Sequence, residues 1–302
     1  MQFGLYILFY ADHASPASRP VSIKMTRSLL NTTHIYCRMK IVIDGDKRKS
    51  LVHLFTLLKK WKAPVLFMKQ PDRCVLQLVS NAHDSIASVV FSKEYFAVFD
   101  DADEVSFSAD IKSVADAVIK SSCYDCVVLE YNDTDNMLTV SGEAVSEPDV
   151  RSVVAQVNIS CISDKKDPLN MNDTNDWQVE GKASCAELCS CVNTLNKFGK
   201  TLIVKCGTNE MELLTKNNET TTRTVLTRNV ISEYTSRTPR LSIQLSLEIM
   251  VKYCLSNKLT KTMTVCLKPD FPVRLQYVLL DETCTVDIYI MPVPTDENVN
   301  IV

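Results

Sequence analysis

An amphipathic stretch at Asp46 to Lys62, several short alternating runs, a second amphipathic stretch at Asp110 to Ser121 and further alternating runs fill the first half of the chain. From Trp177 the same order begins again. The helical patterns of this second pass open at Ser184 and Ser246, 138 and 136 positions after Asp46 and Asp110. A solenoid unit recurs every few tens of residues, so a repeat this long is a duplicated domain. The chain must therefore bury two cores built to one plan. Its 302 residues, 46% hydrophobic and 23% charged, suffice for that.

Each pass carries two helical stripes. Leu51, Leu54, Phe55 and Leu58 fall at i, i+3, i+4 and i+7, and Ile111, Val114, Ala115, Val118 and Ile119 extend the same spacing. Leu188, Cys191, Val192 and Leu195 repeat it, as do Leu247, Met250, Val251, Cys254 and Leu255. Ser184 with Glu187 makes a capping box, and Gly199 offers a stop just beyond Phe198. Period-two runs lie between the helices. Val153 to Ser160, Val273 to Tyr277 and Val286 to Ile290 each alternate apolar with polar residues over much of their length. Two helices over many short antiparallel strands, repeated, is an α+β duplication.

Composition removes several chemistries. Six glycines build no GxGxxG, phosphate loop or GxSxG elbow, so nucleotide-binding and hydrolase readings lose their usual support. No Ser/His/Asp or paired-carboxylate constellation can be drawn from spacing, and no catalytic residue is assigned. Cys123-Tyr-Asp-Cys126 is a single CxxC, and His13, His34, His53 and His83 form no HxxxH, so neither a metal nor a cofactor is expected. No apolar run approaches the roughly 18 residues that span a bilayer. The longest, Phe3 to Tyr10, lacks basic residues ahead of it, and residues 1–38 are expected to be a disordered extension, with the folded part beginning at Met39. A competing reading is a secreted, disulfide-bonded glycoprotein, because five Asn-x-Ser/Thr sequons (Asn31, Asn132, Asn158, Asn172, Asn218) accompany twelve cysteines. Without a signal peptide, glycosylation has no route.

Charge is segregated. Residues 46–62, 110–121, 184–200 and 246–261 together hold 13 basic and 5 acidic residues, so these helical segments carry +8 and the rest of a −3 chain carries −11. At 100° per residue, Lys49, Lys60, Lys120, Lys197 and Lys252 fall roughly opposite the apolar stripes of their own helices. One basic face on an acidic body suits contacts with phosphate backbones that ignore sequence.

With this order and spacing the chain resembles the sliding clamps of the proliferating cell nuclear antigen family, over about Met39 to Pro294. Gln77-Leu-Val-Ser-Asn-Ala-His83 is similar to the family's Gln-x-Met-Asp-Ser-x-His loop, and Asp167-Pro-Leu-Asn-Met171 lies where the family joins its domains. Lys268-Pro-Asp-Phe-Pro-Val273 resembles its Asp-Val-Pro-Leu turn, and Tyr289-Ile-Met-Pro292 its Tyr-Leu-Ala-Pro. Val79 and Met291 depart from the family's Met and Ala, and the connector is richer in Asn and Asp.

The resemblance implies an α+β fold of two tandem clamp domains, at 39–160 and 177–294, joined by a connector at 161–176 and followed by a tail at 295–302. It implies a basic helix face on duplex DNA made by Lys49, Lys60, Lys112, Lys120, Lys197 and Lys252. It places a partner-peptide pocket at Val79, His83, Leu169, Met171, Pro272, Tyr289, Met291 and Pro292. Edges at Met137 to Ala144 and Thr221 to Arg228 would close a homotrimeric ring. Expected partners are double-stranded DNA, DNA polymerase, other clamp-binding proteins and a clamp loader, with no membrane, in the nucleus or at a viral replication site. A processivity factor working as a monomer or a checkpoint-type clamp subunit is the alternative within the resemblance.

Overall fold

The computed structural model describes residues 38–45, 47–100, 104–147, 150–163, 167–169, 171, 176–228, 230–254, 258–280 and 282–294. The expected extension, except for Arg38, the tail 295–302 and much of the connector lie outside these residues. The first copy runs β1 (Arg38–Asp44), α1 (Lys47–Leu58, continued by a 3-10 turn Lys59–Trp61), β2 (Pro64–Lys69), β3 (Arg73–Val79), β4 (Ser85–Ser92), β5 (Val98–Phe99), β6 (Val105–Asp110), α2 (Ile111–Ser121), β7 (Cys126–Asn132), β8 (Met137–Glu147) and β9 (Val150–Ser160). The second runs β10 (Val179–Ser184), α3 (Cys185–Leu195), β11 (Thr201–Cys206), β12 (Met211–Lys216), β13 (Thr221–Leu226), β14 (Ile231–Ser236), β15 (Leu241–Ser246), α4 (Leu247–Ile249, continued as a π-helical turn Met250–Cys254), β16 (Thr262–Leu267), β17 (Val273–Leu279) and β18 (Cys284–Ile290).

The copies agree in pairing as well as in order. β1 pairs with β5 and β7 as β10 pairs with β14 and β16, and β2 pairs with β3 and β6 as β11 pairs with β12 and β15, all antiparallel. This is the expected α+β class. In the first copy the strands make a five-stranded sheet β5-β1-β7-β8-β9 and a set β4-β3-β2-β6. In the second copy the corresponding five strands continue into that first-copy set, because β18 pairs with β4 from Cys284↔Phe91 to Ile290↔Ser85. The result is one nine-stranded sheet crossing both copies, leaving β13-β12-β11-β15 as a separate four-stranded sheet. The described residues accordingly belong to one compact unit.

Helices cover one face of these sheets because their stripes have nowhere else to go. Leu51, Leu54, Phe55 and Leu58 of α1 and Ile111, Val114, Ala115 and Val118 of α2 are buried. Burial of each Leu, Ile, Val or Phe among them contributes about 1.5–3 kcal/mol. Asp110 caps α2, accepting from the Ser113 amide at 2.8 Å and its hydroxyl at 2.7 Å. Ser184 accepts from the Glu187 amide at 3.5 Å, one half of the expected capping box, while its own amide donates to Val230 O at 2.9 Å in place of the Glu187 carboxylate. α1 ends at Lys62, which adopts the left-handed conformation (φ 51°) more often given to glycine.

Three local expectations change. α3 stops at Leu195, the Asn196 amide closing on Val192 O at 2.9 Å, and Phe198 is left exposed. Gly199 serves packing more than termination, since a Cβ there would run into the Thr215 hydroxyl. The fourth helix is one turn of α-helix and one wider π turn. Ile249 and Val251 are stiff β-branched residues with little intrinsic helix preference, and the wider turn still buries Met250. Ten cysteines among the described residues are free thiols. Burial holds most of them protonated, pushing Cys74 and Cys266 up to about 12 and Cys161, Cys185 and Cys206 up to about 11.

Candidate functional site

The face away from the helices is set by strand register. Val79 on β3 lies opposite Ile86 on β4, Ile86 opposite Tyr289 on β18, Tyr289 opposite Arg274 on β17, and Arg274 opposite Cys266 on β16. Ladder partners of this kind stand about 5 Å apart at Cβ. One cross-strand row thus joins Val79 and Tyr289, which come from different copies, with Ile86 between them. Ile86 carried no signal in the sequence beyond its place in an apolar run.

The other expected pocket residues gather around this row unevenly. Leu169 is tied to the neighbouring row by Gln77, whose carboxamide donates to Leu169 O at 2.8 Å and accepts from its amide at 2.7 Å. Met171 follows, its amide bonded to Leu169 O at 3.1 Å. Met291 donates its amide to Asp84 O at 2.9 Å, and Pro292 continues past it. Pro272 precedes Val273, which pairs with Ile290, so it borders the same end of β18. His83 lies apart, exposed at the tip of the β3–β4 hairpin with φ 56° and bonded through its amide to Ser80 O at 2.9 Å. The Ser80 hydroxyl holds that hairpin by donating to Asp84 Oδ1 at 2.6 Å and accepting from the Asp84 and Ser85 amides, both at 3.1 Å.

Electrostatics sharpen the row. Burial pushes the Tyr289 hydroxyl up to about 12, with Asp287 adding to the rise and Arg274 opposing it. Burial likewise raises the Asp287 carboxyl, against the pull of Arg274 and a 3.0 Å bond from Gln276 Nε2. Arg274 lies 4.9 Å over the Trp177 ring, and Lys268 lies 5.2 Å over Trp177 and 3.9 Å over Phe271. With the 5.6 Å edge contact of Trp177 on Phe271, these cation–π contacts brace the loop that carries Pro272. Gln77, Ile86, Arg274 and Trp177 were not singled out by sequence reasoning as pocket residues. Ladder register brings in Ile86 and Arg274, the stacking of Arg274 brings in Trp177, and the bonds to Leu169 bring in Gln77.

On the opposite face the helical segments form one contiguous layer. α1 packs on α2, the 3-10 end of α1 meets the π turn that follows α4, and α3 packs on that same turn. Lys49, Lys60, Lys112, Lys120, Lys197 and Lys252 are all exposed on this layer or at its ends. Lys59 at the end of α1 pairs with Asp116 on α2. The charge of Lys60 reaches Cys189 on α3, opposing the rise that burial imposes on that thiol. Basic residues beyond those expected lie here too. Arg48 and His53 of α1 join the expected Lys49 in lining a cavity of about 260 Å³ with Val52 and Ser122, and the first turn of α1 holds no carboxylate.

Six strands end their sheets among the described residues, β5, β6, β9, β13, β14 and β15, and of these β9 and β13 are the counterparts of β18 and β4, which join each other inside the chain. The expected edge at Met137 to Ala144 is corrected by this. Those residues belong to β8, which is flanked by β7 and β9 and has its backbone groups already paired. The edge is the next strand, where Val153 and Val154 are 57% and 51% exposed; on β13, Val225 is 37% exposed. A cavity of about 620 Å³ opens beside β9, lined by Glu130, Asp135, Met137, Thr139, Gln156 and Asn158 among others, on the five-stranded sheet and not the nine-stranded sheet of the Tyr289 row.

No family model and no curated protein matches the sequence. Solved structures do match. PCNA from Thermococcus kodakaraensis is similar over 84% of this chain and 100% of that chain, with a TM-score of 0.71 and 14% identity. At that identity the likeness rests on the order and pairing of elements, the feature that the two copies share with each other: the chain has the sliding-clamp fold of PCNA.

Proposed function

We propose that the chain is a sliding clamp and processivity factor: a homotrimeric ring that encircles duplex DNA and tethers polymerase and other replication and repair proteins through the Tyr289 row. The observation that carries this reading is the junction β18·β4. β9 and β13 occupy in their own copies the places that β18 and β4 occupy in theirs, and they are left unjoined. Repeating the internal junction between chains extends the alternation of copies head to tail, and a head-to-tail contact that closes makes a ring. The register carries over. Gln156 stands to Ser141 as Asp287 stands to Gln276, and Arg223 stands to Leu214 as Ser88 stands to Gln77. Asp287 pairs with Ser88, so Gln156 of one copy is expected opposite Arg223 of the next.

The lysine-bearing helix layer supports the DNA reading. Lys47, Arg48 and Lys49 follow one another in the first turn of α1, and a concentration of positive charge on a helix layer attracts polyanions. Backbone phosphates are polyanions of this kind whatever the base sequence, and closure of the ring supplies residence time, so individual contacts remain weak and mobile. Within this reading the clamp domains are 39–160 and 177–294, the connector is 161–176 and a clamp loader opens the ring at replicating DNA in the nucleus. The chain itself performs no catalysis.

The test is the mass of the purified protein in solution, alone and with nicked circular DNA. Three chains that stay on a closed circle and run off a linearised one support the ring. A monomer in both conditions overturns it, and a monomer that still holds a polymerase on DNA favours a monomeric processivity factor.

A further inference from the structure

Building on the docking surface just proposed, we propose that Gln77 is its positioning residue: a carboxamide clasp that fixes the connector on β3 and so presents Leu169 and Met171 to an arriving peptide. Gln77 is only 6% exposed, yet both ends of its amide are used, one as donor at 2.8 Å and one as acceptor at 2.7 Å, on the two main-chain groups of a single residue 92 positions away. A carboxamide is the side chain that carries a donor and an acceptor in a planar fork, which matches one peptide unit edge to edge. The contact works as a single rung of sheet ladder made by a side chain.

Its position gives the rung a purpose. The connector leaves β9 through a bond from the Ile162 amide to Ser108 O at 2.7 Å and rejoins the sheet where the Gln178 amide meets Leu267 O at 3.1 Å. Between those anchors the clasp holds the main chain down, while the Leu169 side chain stays 44% exposed. An apolar side chain on a pinned backbone is preorganised, and a ligand that meets it does not have to order the segment as it binds. The counterpart of Gln77 in the second copy, facing Arg223 as Gln77 faces Ser88, is Leu214, which offers no such fork. The clasp belongs to the copy whose outer face the connector crosses.

Two variants separate this role from general stability. Gln77→Leu removes both bonds. Gln77→Glu keeps the shape but, when ionised, has only acceptors to turn toward Leu169 O; once protonated, which burial at this position favours by lifting the carboxyl above its ordinary value near 4.3, it regains a donor and an acceptor. Asp287 beyond Ser88, Asp84 and His83 in the hairpin, Asp167 on the connector and the fixed charge of Arg274 surround the site, so the wild type measured across the same pH range is the control for their titration.

The measurements are hydrogen exchange at the Leu169 amide and capture of a fluorescent decapeptide bearing an adjacent Phe-Phe pair, each at pH 7.5 and pH 5, with thermal melts alongside. The expected result is faster exchange and about tenfold weaker capture for both variants at pH 7.5, with Gln77→Glu alone recovering at pH 5 relative to wild type. Unchanged exchange and capture in both variants overturn the clasp. If wild type captures no peptide, the docking reading falls, and exchange at Leu169 still decides the clasp: faster exchange in Gln77→Leu upholds it and unchanged exchange overturns it. Should Gln77→Leu fail to fold, the pH response of Gln77→Glu decides in the same way.

Discussion

The two copies hold the same eleven elements in the same pairings, and their outer faces have different chemistry. Where the second copy places Tyr289 beside Arg274, the first places Asn158 beside Thr139. The first pair belongs to a buried aromatic and cationic row. The second is a solvated cluster in which Asn158 Oδ1 accepts from the Thr139 hydroxyl at 3.1 Å and from Gln156 Nε2 at 3.0 Å. Ladder geometry tolerates either, because backbone pairing constrains the inward residues and leaves the outward ones open. The second difference is closure: β18 is covered by β4, while its counterpart β9 ends its sheet with Val153 and Val154 in solvent. Duplication fixed the frame, and the outward positions decide which copy docks a partner and which edge seeks another chain.

Carboxylates on the open edges give the largest effect and break the comparison most directly. Val154→Glu with Val225→Glu would bury like charges wherever β9 meets β13 of another copy, costing about 3 kcal/mol or more per junction, so association falls by at least about two decades. Sedimentation is expected to report a folded monomer with an unchanged melt. At the closed junction Val90→Glu has the opposite signature, a lower melting temperature, because β4 and β18 cannot separate without disrupting the nine-stranded sheet. Intact trimers from the edge variant would mean that the internal junction is not the model for the external one.

Next in size is the helix layer. Changing Lys49, Lys120, Lys197 and Lys252 to Glu moves the formal charge from −3 to −11 without touching a buried side chain. Retention on nicked circular DNA is expected to drop about tenfold at 50 mM salt and much less at 200 mM, since each lost phosphate contact reduces the salt slope by about 0.9. Equal retention at both concentrations would remove these lysines from the DNA face.

The docking row follows. Tyr289→Ala weakens capture of the Phe-Phe probe by roughly thirtyfold, near 2 kcal/mol, as for a central aromatic hot spot. It also lowers stability, because Tyr289 is 3% exposed. Met171→Ala is the cleaner variant, being half-buried on the connector, and about fivefold is expected with oligomer mass unchanged. If Asn158→Ala on the first copy weakened capture as much as Tyr289→Ala, the assignment of docking to one copy would be wrong.

Much of this was legible in the sequence for physical reasons. Helices announce themselves through stripes such as Ile111, Val114, Ala115 and Val118, because burial at 3.6-residue spacing leaves no freedom in residue type. The repeat announced itself because the N-caps Asp110 and Ser246 must precede corresponding helices. Strand edges were harder. Met137 to Ala144 and Val150 to Ser160 both alternate in part, and nothing local says which is outermost, since that is decided by pairing partners far away in the chain. The row Val79, Ile86, Tyr289 and Arg274 was half legible. Family-like segments exposed Val79 and Tyr289, whereas Ile86 and Arg274 enter through register, and a one-residue slip would have sent them to the other face. Gln77 was visible as a letter in a motif, but its role depends on a connector 92 positions away.

The smallest effect reads the copies against each other through their caps. α2 is capped by a carboxylate, Asp110, whereas α3 and α4 are capped by the hydroxyls of Ser184 and Ser246. Burial raises the Asp110 carboxyl, but the Ser113 hydroxyl and amide, with help from Lys112, outweigh it and leave the group below its ordinary value. A carboxyl depressed in the folded state stabilises above its unfolded value, near 3.9, and that contribution is lost as pH falls through the lower folded value. Asp110→Ala and Ser184→Ala should each cost about 1 kcal/mol at pH 7. Only the first penalty is expected to shrink below about pH 4, because the serine does not titrate there. Chemical denaturation of both variants from pH 7 to pH 3 tests this. Parallel pH profiles would mean that Asp110 acts through shape alone, and this titrating difference between the starts of α2 and α4 would disappear.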